Sequence, residues 1–152
     1  MIQRVQTIWL FLASLTLFML LLLPIVTKTN NGTEFWVLVS GLYQKAATGT
    51  IKSEGFMPLL ISTVVIALIA LANIFNYKNR TLQKRICNVV IILTLGLSFW
   101  ISQAAQKIPG GLDGADYNVG AFMPILTIIF CFLAFRGIRK DELLIKSADR
   151  LR

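Results

Sequence analysis

Residues 56–75 read FMPLLISTVVIALIALANIF, a run without Asp, Glu, Lys, Arg or His. The hydrocarbon core of a bilayer, about 30 Å thick, takes roughly 17–25 helical residues to cross. This run fits that window. Three more runs free of the same residues occupy 8–26, 86–102 and 119–135. In lipid, backbone polar groups must find their partners within the chain, so each run is expected to be a helix. Core helices of a soluble bundle would carry a polar stripe at the helical period, and none of these does. The 152 residues are 56% hydrophobic and only 14% charged, against about 45–50% and about 25% in an ordinary soluble domain. Both readings predict one integral membrane domain.

The basic residues set the orientation. Arg4, Lys78, Arg80, Lys84, Arg85, Arg136, Arg139, Lys140, Lys146, Arg150 and Arg152 fall on one side, eleven of the 15 Lys and Arg. Lys28, Lys45, Lys52 and Lys107 fall on the other. The positive-inside rule places the larger group in the cytoplasm, with both ends of the chain. Asp141, Glu142 and Asp149 go with them, while Glu34, Glu54, Asp113 and Asp116 balance the four outer lysines. The whole net charge of +8 therefore lies inside. Such basicity marks topology, and no aromatic–basic interleaving points to nucleic acid. Residues 8–26 exceed a signal-peptide core and offer no small-x-small cleavage site, so they are expected to remain as the first span.

The expected fold is all-α: a transmembrane bundle of four helices in two hairpins. The external loops are 27–55 and 103–118, the cytoplasmic loop 76–85 and the tail 136–152. Phe35-Trp36-Val37-Leu38-Val39 is rich in strand formers and suggests a short external hairpin. Pro109-Gly110-Gly111 and Asp113-Gly114 mark turns. Phe56-Met57-Pro58 and Phe122-Met123-Pro124 open the second and fourth runs alike. A parallel duplication would produce this, and so would two helices sharing a proline start signal. Thr63, Ala67, Ala70 and Asn73 share one helical face, and Thr94, Ser98 and Ser102 another. Small and hydroxyl residues suit contacts between helices; the sharper alternative is a polar pore lining. In the tail, Leu144, Ile145, Ala148 and Leu151 form an apolar face flanked by Lys146, Arg150 and Arg152. Such a helix suits a partner protein or the anionic cytoplasmic leaflet.

Catalytic chemistry finds little to build on. The chain has no histidine, the commonest general base. Cys87 and Cys131 alone make no metal-ligand set. No catalytic, cofactor-binding or metal-binding residue is assigned, and no cofactor is expected. Asp113 and Asp116, near the outer surface, are the remaining hydrolase candidates. Four-span aspartyl proteases of the lipoprotein signal peptidase type pair two aspartates there, one followed by arginine. Asp113-Gly114 and Asp116-Tyr117 do not match that pattern.

Three charged segments carry a resemblance: residues 1–8 (MIQRVQTI), 77–85 (YKNRTLQKR) and 139–152 (RKDELLIKSADRLR). They resemble a family of small inner-membrane proteins of Bacteroidota, catalogued only as a domain of unknown function. The resemblance implies a bacterial inner membrane and four spans, and supplies no activity. The expected function is a non-enzymatic accessory or assembly subunit of a larger inner-membrane complex. The alternatives are a small transporter or channel using the Thr/Ser faces and, third, a membrane hydrolase using Asp113 and Asp116.

Overall fold

Proline 24 decides where the first apolar run stops being helix. It lacks the N–H a helix needs and disfavours helical backbone at the residue before it. In the computed structural model, which describes residues 3–30, 32–46 and 49–149, helix α1 spans Gln3–Leu20. Leu21–Leu23 finish it with tighter turns onto Phe18 and Met19 carbonyls, and by Val26 the chain is already a strand. The apolar run expected as the first span at 8–26 is thus α-helical only to Leu20, and its helix begins earlier, at Gln3.

The remaining helices are α2 (Met57–Ala72), α3 (Arg80–Ala105) and α4 (Val119–Asp149). A 3₁₀ segment, Asn73–Lys78, follows α2. Pro58 sits in the first turn of α2, where a missing N–H costs nothing. The Asn79 side chain caps α3 by accepting from the Leu82 amide at 3.1 Å. Met57–Tyr77, Arg80–Ala105 and Val119–Leu144 are long and apolar enough to cross a membrane; Val5–Leu20 is a shorter apolar helix.

Each helix packs on two neighbours, α1 and α3 both lying against α2 and α4. Leu10, Ala13 and Leu17, Leu59 and Ala67, Val90 and Leu97, and Cys131 and Ile138 fill the interior. Thr63, Ala67, Ala70 and Asn73 are all buried against neighbouring helices. The second small-residue face holds only in part, since Thr94 is buried but Ser102 is exposed. The exterior is apolar as well. Ile8, Phe11, Leu15 and Met19 on α1, Met57, Ile61, Val65 and Leu68 on α2, and Phe122, Ile125, Ile129 and Phe132 on α4 stay exposed along helical stripes. A soluble protein rarely leaves continuous apolar faces in water.

The expected all-α fold with a short hairpin is corrected by a five-stranded antiparallel sheet in the order β4-β3-β2-β1-β5. Strands β1 (Val26–Asn30), β2 (Thr33–Leu38), β3 (Gly41–Ala46) and β4 (Gly49–Gly55) come from the first loop, and β5 (Asp116–Tyr117) from the second. Strand β5 pairs with β1 through Val26↔Tyr117 and Thr27↔Asp116. The sheet buries Val26, Val37, Val39 and Leu42 on the helix ends, in one core with Leu20, Phe56 and Ile108. The strand-rich segment at Phe35–Val39 was the visible half of this sheet. The tail is also corrected: α4 runs without a break from Val119 to Asp149, so residues 136–149 continue the fourth helix rather than form a separate one. Helix α3 likewise begins at Arg80, before the charge-free run at 86–102, where the Asn79 side chain caps it.

Candidate functional site

The three basic segments meet at one end of the helices, opposite the sheet. Gln6 of α1 donates through Nε2 to Asp141 Oδ2 of α4, with both side chains buried. Lys84 of α3 pairs with Glu142 of α4. Between them, Asn73 and Gln83 tie the end of α2 to α3: Asn73 Nδ2 donates to the Gln83 carbonyl at 3.1 Å, and Gln83 Nε2 returns to the Asn73 carbonyl at 3.3 Å. The same Asn73 amide lies 3.4 Å from Cys87 Sγ. The result is a polar layer linking α1, α2, α3 and α4 at the basic end.

Two openings border this layer. A cavity of about 290 Å³ is lined by Gln6, Ile74, Phe75, Tyr77, Arg80 and Gln83, among others. Arg80 Nη1 is buried there without an acceptor, and Asn73 Oδ1 and Asp141 Oδ1 are likewise buried without partners. A second, shallow groove of about 350 Å³ lies along α4 between Phe132, Phe135, Arg136, Arg139, Lys140 and Leu143. The Arg136 guanidinium stands 5.9 Å from the Phe132 ring centroid, a cation–π arrangement.

Of the tail residues singled out in the sequence, Leu144 lies in α4 and is 48% exposed. Ile145, Lys146 and Ala148 continue α4; their side chains, and all of Arg150, Leu151 and Arg152, lie outside the described residues. At the sheet end, Asp113 is exposed in the glycine turn and Asp116 is exposed in β5. A third cavity, of about 230 Å³, opens between Phe56, Pro58, Trp100 and Lys107, with Lys107 paired to Glu54. Three hydroxyls of the two small-residue faces bond within their own helices: Thr63 to the Leu59 carbonyl, Thr94 to the Val90 carbonyl and Ser98 to the Thr94 carbonyl. Thr16 and Thr127 meet at 2.8 Å across α1 and α4. No group of three or more His, Cys, Asp or Glu converges among the described residues.

Gln6, Asn73, Arg80, Gln83 and Asp141 were missed as a cluster in the sequence. A scan for charge-free runs does not register Gln or Asn, and Asp141 counts as one more tail acid. A signal existed nonetheless: Cys131, Ala134, Ile138 and Asp141 recur at spacings of three, four and three, so Asp141 continues the buried face of α4.

A family model described as Domain of unknown function (DUF4293) matches residues 2–151, and the chain belongs to that family. No curated protein and no solved structure matches it. The resemblance carried by the three charged segments therefore holds over nearly the full chain.

Proposed function

We infer that this member of the family is a four-span protein of the bacterial inner membrane, with both ends cytoplasmic. On this reading it serves as a non-enzymatic accessory or assembly subunit of a larger inner-membrane complex. The observation that carries the reading is the length of α4. Its 31 residues at 1.5 Å rise make about 46 Å, well beyond the roughly 30 Å of hydrocarbon. The surplus extends the basic end as an arm braced to α1 and α3 through Asp141 and Glu142. On that arm Leu143 is 59% exposed and Leu144 48%, beside the groove flanked by Arg136, Arg139 and Lys140.

Charge complementarity defines the partner: a helix of another membrane protein with an apolar anchor flanked by acidic residues. Such an interface takes most of its energy from a few buried apolar anchors and its steering from the charged rim. The transporter alternative has weaker support, because the Thr63, Thr94 and Ser98 hydroxyls bond carbonyls of their own helices. The hydrolase alternative rests on two exposed aspartates in solvent-facing turn and edge positions.

Purification from native membranes in mild detergent tests this. A stoichiometric protein should come with the chain. Leu143→Ala combined with Leu144→Ala should release it, with the chain still inserted, while Arg139→Glu should weaken the association less. A chain that purifies alone and moves solute across liposomes would refute the subunit reading.

A further inference from the structure

Arg80 opens α3 beside the 290 Å³ cavity at the basic end. Its side chain is partly exposed, yet Nη1 is fully buried and has no acceptor. Asp141 is held by the Gln6 amide and makes no ion pair with Arg80. A guanidinium is a planar fork of donors matched to the paired oxygens of a phosphate. Nη1 itself is too enclosed to meet a ligand, but the rest of the side chain lines the cavity with no carboxylate paired to it among the described residues, and there an acceptor from outside the chain can reach it.

The cavity has about ten times a water molecule's share of liquid, roughly 30 Å³, enough for a phosphodiester and the adjoining glycerol atoms. Its lining divides by chemistry. Arg80, Gln6 and Gln83 supply polar groups, while Ile74, Phe75 and Tyr77 form an apolar wall. Phe75 is 76% and Tyr77 54% exposed, so this wall opens outward, where the helices present their apolar stripes. A fixed cation beside an outward apolar wall suits an amphiphile: phosphate on the guanidinium, hydrocarbon along the aromatic rings. Basic pockets between helices on the cytoplasmic side bind anionic headgroups in this manner.

We propose that this cavity binds the phosphate of an anionic phospholipid from the cytoplasmic leaflet, held by Arg80. The proposal rests on the four-span reading, with the basic end in the cytoplasm.

The test titrates the purified full chain, in zwitterionic detergent, with phosphatidylglycerol, with phosphatidylcholine and with glycerol 3-phosphate. Retained ligand is counted by native mass spectrometry. Phosphatidylglycerol should be retained more tightly than phosphatidylcholine, whose quaternary ammonium offsets the phosphate charge. Arg80→Gln should weaken retention at least tenfold, whereas Arg85→Gln, an exposed cation on the same helix, should stay within twofold. Equal losses in the two variants would reduce the effect to net charge and overturn the site. Binding of glycerol 3-phosphate as tight as that of the lipid would assign the cavity to a soluble phosphate ester and overturn the lipid. Phe75→Ser covers the case in which Arg80→Gln fails to fold. It changes an exposed wall residue only, and should weaken the lipid several-fold; no change would remove the wall from the argument and count against an amphiphile. Alkaline extraction of membranes reads the underlying assumption separately. A chain released by alkali fails the four-span reading whatever the lipid result.

Discussion

At the residue scale, two contacts that tolerate little change lie at opposite ends of the helices. Gly120 opens α4 where the chain leaves α1. A Cβ there would come within 2.4 Å of the Pro24 carbonyl oxygen and 2.8 Å of that of Leu23, and the Gly120 amide already bonds the Pro24 carbonyl at 3.1 Å. Backbone atoms cannot yield as a flexible side chain does. Gly120→Ala should therefore destabilise the fold by about 1–3 kcal/mol, the usual cost of overpacking, seen as a lower unfolding temperature in detergent. At the basic end, Asp141 is 6% exposed and depends on Gln6. Gln6→Ala strips a buried carboxylate of its donor and should cost roughly 1.5–3 kcal/mol. Gln6→Ala with Asp141→Leu should recover most of that loss, because it removes both polar groups together. A double variant no more stable than the single would show that the pair's worth lies elsewhere.

At the scale of elements, the sheet edge needs explanation. Strand β4 is exposed along its whole length, yet an open edge invites pairing with other chains. Two devices blunt it. The register with β3 breaks between Leu42 and Tyr43, leaving Ser53 as an extra residue, and Lys52 reaches over the Tyr43 ring at 5.9 Å. Bulges and edge lysines are both known protections. Deleting Ser53 together with Lys52→Val should flatten the edge and produce detergent-stable oligomers in light scattering, where the wild type should not. The same sheet marks the limit of what the sequence discloses about its elements. The runs at 56–75, 86–102 and 119–135 located α2, α3 and α4 because charge-free length is a strong signal. Strand β1, Val26–Asn30, was hidden: two of its neighbours, Pro24 and Ile25, belong to an apolar run, and its Thr-Lys-Thr core reads as loop. Strand β5 is two residues long and exists only because β1 offers its edge 91 residues away in sequence, as the Asn118–Thr27 side-chain bond at 3.0 Å also illustrates. Such non-local pairing leaves no local pattern. The basic-end cluster was legible only in part, since Gln6, Arg80, Gln83 and Asp141 sit outside the runs that defined the helices and Asn73, inside one, carries no charge.

For the whole molecule, three features agree: apolar stripes face outward, nine cations among the described residues, from Arg4 to Lys146, belong to segments on the basic end, and the sheet caps the other end. On the proposed reading a bilayer crosses the middle, with lipid as solvent for the stripes and the anionic leaflet beside the cations. On that account the sheet-end acids are surface groups, so Asp113→Asn with Asp116→Asn should leave any cellular phenotype of the gene intact at normal protein level. Loss of the phenotype would revive a hydrolase. The topology itself has the most direct test. In a variant with Cys87 and Cys131 replaced by alanine, Ser53→Cys or Ser147→Cys supplies a single thiol for a membrane-impermeant reagent added outside spheroplasts. The four-span account predicts labelling at 53 and none at 147 until the membrane is permeabilised. Labelling at 147, or at both positions, in intact spheroplasts would contradict it.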